Sequence, residues 1–262
     1  MTIKETKDKP IKKLAGKTVA IVGLGKSWFE YNLAASHGDH FDEVWGINAV
    51  GSVIYHDRTF MLDPPSRFLD SDDAGGQTHG MVKMLKTGDK PIYTCELDKR
   101  CKNLKLYPIK QVVQDLQCSY LNNTVAYALA FALWNKVGAI RIYGVDFTYR
   151  GNLHFAESGR ACVEFWLAKC MFAGIEVGIA QTSTLLDTCV PLQEKLYGYH
   201  RLDDPMLPLV MNDELIVRKN SELTYNEKTV EPMLIGRHDD KTSPVEPRSG
   251  KCLKMLESLT LV

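Results

Sequence analysis

Apolar positions along this chain gather in short runs that close on glycine or on a polar residue. Such runs stand at 17–23 (KTVAIVG), 43–48 (EVWGIN), 58–63 (RTFMLD), 139–146 (AIRIYGVD) and 175–179 (IEVGI). Continuous apolar runs of strand length suit strands covered on both faces, as in a parallel sheet. Between them, 28–36, 108–116, 121–134 and 161–173 read as helices. Ser27 suits an N-cap for the first of these, and Pro108 suits the first turn of the second. Pro64 and Pro65 lack the N–H that a strand needs, so the run at 58–63 must end there. KPIYT at 90–94 is a further short strand, 96–105 is charged and reads as exposed, and 71–80 reads as a surface loop or a lid. Strands alternating with helices predict an α/β fold: a Rossmann-like, mostly parallel sheet with helices on both faces and a C-terminal extension.

The same pattern divides the chain into a Lys-rich mobile arm over 1–15, a Rossmann-like nucleotide-binding domain over 16–190 and an extension over 191–262. In the extension the alternation fades. YGYH at 197–200 and the Pro-containing run 204–209 read as a surface packed on the domain or on another subunit, a route to a homo-oligomer. The polar, Pro-containing 238–251 reads as disordered, and 253–261 as a short terminal helix or an interaction segment.

Composition narrows the function classes. The 262 residues carry 32 Lys+Arg against 32 Asp+Glu, which gives no support for a general nucleic-acid or membrane-surface binder. No apolar run approaches the ~20 residues of a membrane span, and the charged N-terminus has no apolar core of a secretion signal. Seven cysteines with no CxxC pair point to reduced thiols, a cytoplasmic setting and no zinc site.

GLGKS at 23–27 invites two familiar readings, and neither fits. A dinucleotide fingerprint wants a third small residue so that helix and strand pack closely, and that position is Trp28. The acid expected at the end of the second strand is Asn48. A P-loop wants its first glycine five residues before Gly25, and that position is Ala20. What remains is a glycine turn leading to a helix, either an anion site at exposed amides or a plain tight turn. Gly23, Gly25, Lys26 and Ser27 are therefore candidate nucleotide contacts.

The stretch 121–185 concentrates polar residues at element ends, where open α/β sheets bind ligands. Asn122, Asn123 and Thr124 precede an alanine-rich helix, although one N-cap would suffice. Asp146 ends a strand beside Tyr149; as a candidate catalytic residue it would orient a base, and it also suits a ribose contact, a metal or a turn cap. His154 lies between that loop and the next helix. Histidine side chains titrate near neutral pH, so His154 is the candidate general acid or base.

With these residues in view, the chain resembles the Campylobacter-type bacterial sialyltransferases. The features are 17–27 followed by FDEVWGIN at 41–48, then Asn122–Thr124 with its Ala-rich helix, IRIYGVDFTY at 140–149, His154, and a last strand closing at Ser183. The same outline is similar to the MptE-like proteins, which include 6-hydroxymethylpterin diphosphokinases, and to phage open reading frames. The resemblance covers roughly 17–185. It implies a modified Rossmann fold with a nucleotide-linked donor, a CMP-sugar or ATP. Gly25, Ser27, Asn48, Asn123 and Thr124 would hold the nucleotide, Asp146 and Tyr149 would line the donor pocket, and His154 would act on the acceptor hydroxyl or the leaving phosphate. Lys26 stands where that family has Pro, and Asp63 where it has Asn. A second carboxylate suits a metal, so Asp63 and Asp146 are candidate Mg²⁺ ligands near a triphosphate.

The resulting expectation is a nucleotide-dependent transferase, glycosyl or pyrophosphoryl, acting on a hydroxyl of a small-molecule or glycan acceptor in the cytoplasm of a bacterial or phage-infected host. The alternative is a non-catalytic nucleotide-binding or scaffold protein of phage origin.

Overall fold

A computed structural model of the chain describes residues 8–72, 74–148, 153–191, 195, 206–211, 214–219 and 222. The chain divides into two compact units, Met1–Lys195 and Leu196–Val262.

The first unit runs β1 (Thr18–Val22), a 3-10 turn (Lys26–Trp28) leading into α1 (Phe29–Ser36), β2 (Glu43–Ile47), β3 (Arg58–Phe60), α2 (Ser66–Leu69), α3 (Gln77–Thr87), β4 (Ile92–Thr94), β5 (Leu104–Leu106), α4 (Ile109–Leu116), α5 (Thr124–Trp134), β6 (Ala139–Tyr143), α6 (Leu153–Phe172) and β7 (Glu176–Ile179). The seven strands form one sheet in the order β5-β4-β3-β2-β1-β6-β7, and every neighbouring pair is parallel. This is the expected Rossmann-like α/β fold.

Alternation along the strands explains the layers. Val19 and Ile21 of β1, Trp45 of β2 and Ile140 and Ile142 of β6 join the α4–α5–α6 side chains in one core. Their sequence neighbours Ala20, Val22, Val44 and Tyr143 pack with Tyr31 of α1 in a second core on the other face. A strand with both faces covered must be apolar at successive positions, which is why periodicity made these strands legible. The order turns back at β1, which has β2 on one side and β6 on the other. In an open sheet that reversal splays the connections apart and leaves a crevice beyond the carboxyl ends of the strands.

The start of the sheet is tied by a buried ion pair. Arg58 Nε donates to Glu43 Oε2 at 2.7 Å and Nη2 to Oε1 at 2.8 Å. Trp45 Nε1 also donates to Glu43, and Arg58 Nη1 to the Tyr93 hydroxyl.

Several local expectations change. The strands are shorter than the apolar runs, because Asn48 already begins a 3-10 turn and β3 stops at Phe60. β5 falls inside and just past the segment read as merely exposed; as an edge strand it has a half-exposed to exposed pattern and so no alternation to show. α3 takes over the second part of the expected 71–80 loop. α6 starts at Leu153, not at 161. Gly159 and Ser158 look like loop residues, but the glycine serves packing: a Cβ there would lie 2.6 Å from a ring carbon of Phe147. Ser27 does not cap a helix; it sits inside the 3-10 turn that precedes α1. Within 1–15, Leu14 is buried and the Ile11 amide donates to Asn135 Oδ1 at 2.6 Å, so the chain is docked from Ile11 onward.

In the second unit β8 (Met206–Met211) and β9 (Glu214–Lys219) pair antiparallel. The expectations for 197–200, 238–251 and 253–261 fall outside the described residues. Among the described residues no helix is long and apolar enough to cross a membrane.

Candidate functional site

The crevice at the switch point is a cleft of ≈ 900 Å³. Each strand end contributes in turn. The turn after β1 brings Gly23, Leu24, Gly25 and Lys26, the end of β2 brings Asn48, and the segment after β3 brings Asp63 and Arg67. α3 adds Gln77, the start of α5 adds Asn122, Asn123 and Thr124, β6 leads to Asp146, Phe147 and Thr148, and α6 adds Phe155. Residues far apart in sequence thus converge because parallel strands deliver all their carboxyl ends to one side.

The glycine turn is built for close approach of β1 and β6. The Gly23 amide donates to the Tyr143 carbonyl at 2.8 Å, and the Gly25 amide to the Gly144 carbonyl at 2.7 Å. A Cβ on Gly23 would lie 2.4 Å from the Gly144 carbonyl oxygen, and one on Gly25 would lie 2.6 Å from Asp146 Oδ2. Gly144 has φ +66, a conformation that costs glycine little.

Ser27 and Asp146 complete this junction. The Ser27 amide donates to Asp146 Oδ2 at 2.8 Å and its hydroxyl to Oδ1 at 2.5 Å. The Gly144 amide donates to Ser27 Oγ at 2.9 Å. Ser27 is 0 % and Asp146 4 % exposed. The amides of Gly23, Gly25 and Ser27 are thus spent inside the protein. Lys26 is the turn's outward-facing cation: it lines the cleft and has no ion-pair partner among the described residues.

Asn48 follows β2 with φ +51, a left-handed conformation that asparagine tolerates better than most residues. Its Oδ1 is buried without a hydrogen-bond donor. An orphaned buried acceptor costs ~1–3 kcal/mol, and a donor on a bound molecule in the cleft would remove that cost. Asp63 forms an ion pair with Arg67 at 2.5 Å.

The residues present do not fit the expected Mg²⁺ site. Asp146 spends both oxygens on Ser27, and Asp63 is engaged by Arg67. Among the described residues no three His, Cys, Asp or Glu come together. Away from the cleft, burial pushes the Cys170 thiol up to about 12.

The start of α5 mixes structural and accessible groups. Asn123 is the N-cap: its Oδ1 accepts from the Ala126 amide at 3.0 Å, while its Nδ2 donates to the Gly159 carbonyl at 3.1 Å. Asn122 Nδ2 donates to the Ser158 carbonyl and hydroxyl, both at 3.1 Å. These bonds fasten α5 to α6. Asn123→Ala should therefore lower stability by about 1–2 kcal/mol, the usual value of a lost cap. Asn123→Asp keeps the capping oxygen but turns an acceptor toward the Gly159 carbonyl and Asn122 Oδ1, so it should recover the loss only in part; urea midpoints would show the order.

His154 lies in the first turn of α6, exposed and outside the lining of the cleft, next to the lining residue Phe155. Tyr149 falls outside the described residues. Arg67, Gln77, Leu24 and Phe155 are lining residues that sequence reading passed over. Arg67 had a signal, since it follows the prolines that force the chain off β3. The other three look like ordinary turn or helix residues until the strands are ordered.

No protein-family model and no curated protein sequence matches the chain. Among solved structures it is similar to the sialyltransferase CstII from Campylobacter jejuni in complex with the substrate analogue CMP-3FNeuAc, at 16% identity over 65% of this chain and 82% of that one, with a TM-score of 0.43. CstII with cytidine-5'-monophosphate gives 14% identity over 65% and 82%, TM-score 0.39. The alpha-2,3-sialyltransferase from Campylobacter jejuni in apo form gives 13% identity over 70% and 84%, TM-score 0.41. What the fold and cleft define is a class: an open parallel α/β domain with a ligand-sized cleft at its switch point.

Proposed function

We propose that this protein is a nucleotide-dependent transferase that moves a glycosyl or pyrophosphoryl group from a nucleotide-linked donor to a hydroxyl acceptor. The observation that carries the reading is the cleft at the β1–β6 reversal, where Asn48 offers an unsatisfied acceptor and Lys26 an uncommitted ammonium. A nucleobase amino group answers the first need, and a phosphate answers the second. The sequence resemblance to sialyltransferases and MptE-like proteins agrees with that pairing.

In this reading the acceptor oxygen forms a bond to the anomeric carbon or the phosphorus of the donor, and the bond to the leaving phosphate oxygen breaks. Lys26 stabilises the charge on that leaving group. His154 takes the acceptor proton, with its neighbour Phe155 at the cleft wall. Calorimetry with CMP and with ATP tests donor binding. Lys26→Ala should weaken it about tenfold, the worth of one charge-assisted hydrogen bond. His154→Ala should leave it intact while abolishing turnover with a CMP-sugar, or with ATP and a hydroxymethylpterin. Absence of binding to either nucleotide overturns the reading.

The exposure of His154 outside the cleft lining favours a second reading, a binding protein without turnover. Nucleotide binding in the wild type with no turnover on either donor would select it.

A further inference from the structure

Helix α6 is apolar on more than its buried side. Val163, Trp166, Leu167 and Cys170 fill the core behind it. Its outer face carries Ala161, Phe165, Ala168 and Phe172, all exposed. These follow one another at helical spacing, i, i+4, i+7 and i+11, so they form one stripe along the helix. Phe172 is 97% and Phe165 40% exposed. Single exposed apolar residues are normal on a surface, but a continuous apolar stripe marks an interaction surface.

The order of residues in the stripe says what fits it. Small and large alternate: Ala161, Phe165, Ala168, Phe172. Each kind recurs after seven residues, the repeat of a two-helix seam. Turned end for end, the stripe reads large, small, large, small. A two-fold axis crossing α6 between positions 166 and 167 therefore sets Phe165 opposite Ala168 of a second copy, and Phe172 opposite Ala161 of that copy. Such a self-complementary patch is what a two-fold interface requires, and large against small lets facing helices interdigitate. The Tyr120 ring stands edge-on to Phe165 at 5.6 Å, and Lys169 Nζ lies 5.9 Å from the same ring. They border the stripe as the polar rim of an interface does.

The available area agrees with a pair of chains. A buried phenylalanine takes about 150–250 Å² out of water, so the two phenylalanines of each copy hide roughly 500 Å² in total. The remainder of a seam about 17 Å long brings the total towards the ~1,200 Å² low end of specific interfaces. A contact of that size holds two chains reversibly.

We propose that the outer face of α6 is a homodimer interface: two copies pack α6 against α6 in antiparallel register, with Phe172 seated on Ala161 and Phe165 on Ala168. None of these four residues lines the cleft, so the proposal stands apart from the transferase reading.

Sedimentation equilibrium on the full chain, from about 1 μM to about 1 mM, tests it. Reducing agent is present, since Cys95 and Cys189 are exposed and a disulfide would mimic association. The wild type should pass from monomer to dimer within that range. Phe172→Lys and Ala161→Glu should each weaken the dimer about tenfold or more. Both positions are exposed, and circular dichroism should show the fold unchanged. The double variant tests the register. Its new lysine and glutamate lie ~16 Å apart along one helix, too far to pair within a copy, but antiparallel packing sets each against the other across the axis. It should associate several-fold more tightly than the two single losses together predict. A wild type monomeric throughout, a dimer indifferent to Phe172→Lys, or a double variant no tighter than the two losses predict would each overturn the proposal.

Discussion

Replacing Arg58 by leucine should lower the unfolding free energy by about 3–5 kcal/mol, the usual result of removing one partner of a buried ion pair. The reason is what the substitution leaves behind. Glu43 keeps its charge in a buried setting and loses two hydrogen bonds, of 2.7 Å and 2.8 Å, from the guanidinium. The Tyr93 hydroxyl loses its donor, and the faces of Trp45, Tyr93 and Phe131 lose a cation within 6.0 Å of their ring centres. Only Trp45 Nε1 still donates to the carboxylate at close range, with the largely exposed Lys13 at 3.7 Å. Urea denaturation would measure the loss. The double variant Glu43→Gln, Arg58→Met should regain most of it, since removing both charges removes the uncompensated one. A loss below about 1 kcal/mol in the single variant would mean that Lys13 or water satisfies Glu43, and that the pair is not a major tie. Glu43 and Arg58 begin their strands, whereas the cleft lies beyond the strands' carboxyl ends. Nucleotide binding per folded molecule should therefore not change.

That separation also explains which features were legible in the sequence. Strands such as 18–22 and 139–143 announce themselves because burial on both faces demands unbroken apolar runs, and burial is a property of composition. β5 does not, because an edge strand is held mainly by its backbone hydrogen bonds, to which any side chain contributes. α6 was cut short for a related reason. Gly159 lowers helix propensity, yet its place is set by a ring from another element, and no local pattern carries that information.

The site divides in the same way. Asn48, Asp63 and Asp146 stood out because polar residues closing apolar runs are visible as such, and Asn123 because it opens the Ala-rich helix. What each polar group does was not visible. A carboxylate that accepts two bonds from Ser27 and a carboxylate that faces solvent have the same letter. Asn123 combines an N-cap with a place on the cleft wall, so neither reading excluded the other. Leu24 and Phe155 stayed hidden because an apolar residue on a cleft wall is indistinguishable in sequence from one in the core.

The sharpest consequence concerns Asp146, which the sequence presents as a catalytic or metal-binding acid and whose contacts present as a lock. Asp146→Ala should cost about 3–5 kcal/mol, since two hydrogen bonds to a buried charge are lost at ~1.5–3 kcal/mol each. Two donors of Ser27, which is 0 % exposed, are left without acceptors. The damage should spread across the β1–β6 junction, because Ser27 Oγ in turn receives the Gly144 amide. Hydrogen exchange at Ser27 and Gly144 should accelerate well before global unfolding, and nucleotide binding should fall with it. Asp146→Asn can still accept the Ser27 amide but turns a second donor toward the Ser27 hydroxyl, so it should cost roughly half as much as the alanine variant. Ser27→Ala, which orphans the Gly144 amide while keeping its own, should fall in the same range as the asparagine variant. A catalytic or metal-binding Asp146 requires a different order: Asp146→Asn would keep full stability and protected amides while turnover disappears. That outcome would remove the lock and restore Asp146 to the chemistry. Loss of stability graded as alanine above asparagine, with Ser27→Ala beside it, would leave Lys26, Asn48 and His154 as the groups that carry the proposed reaction.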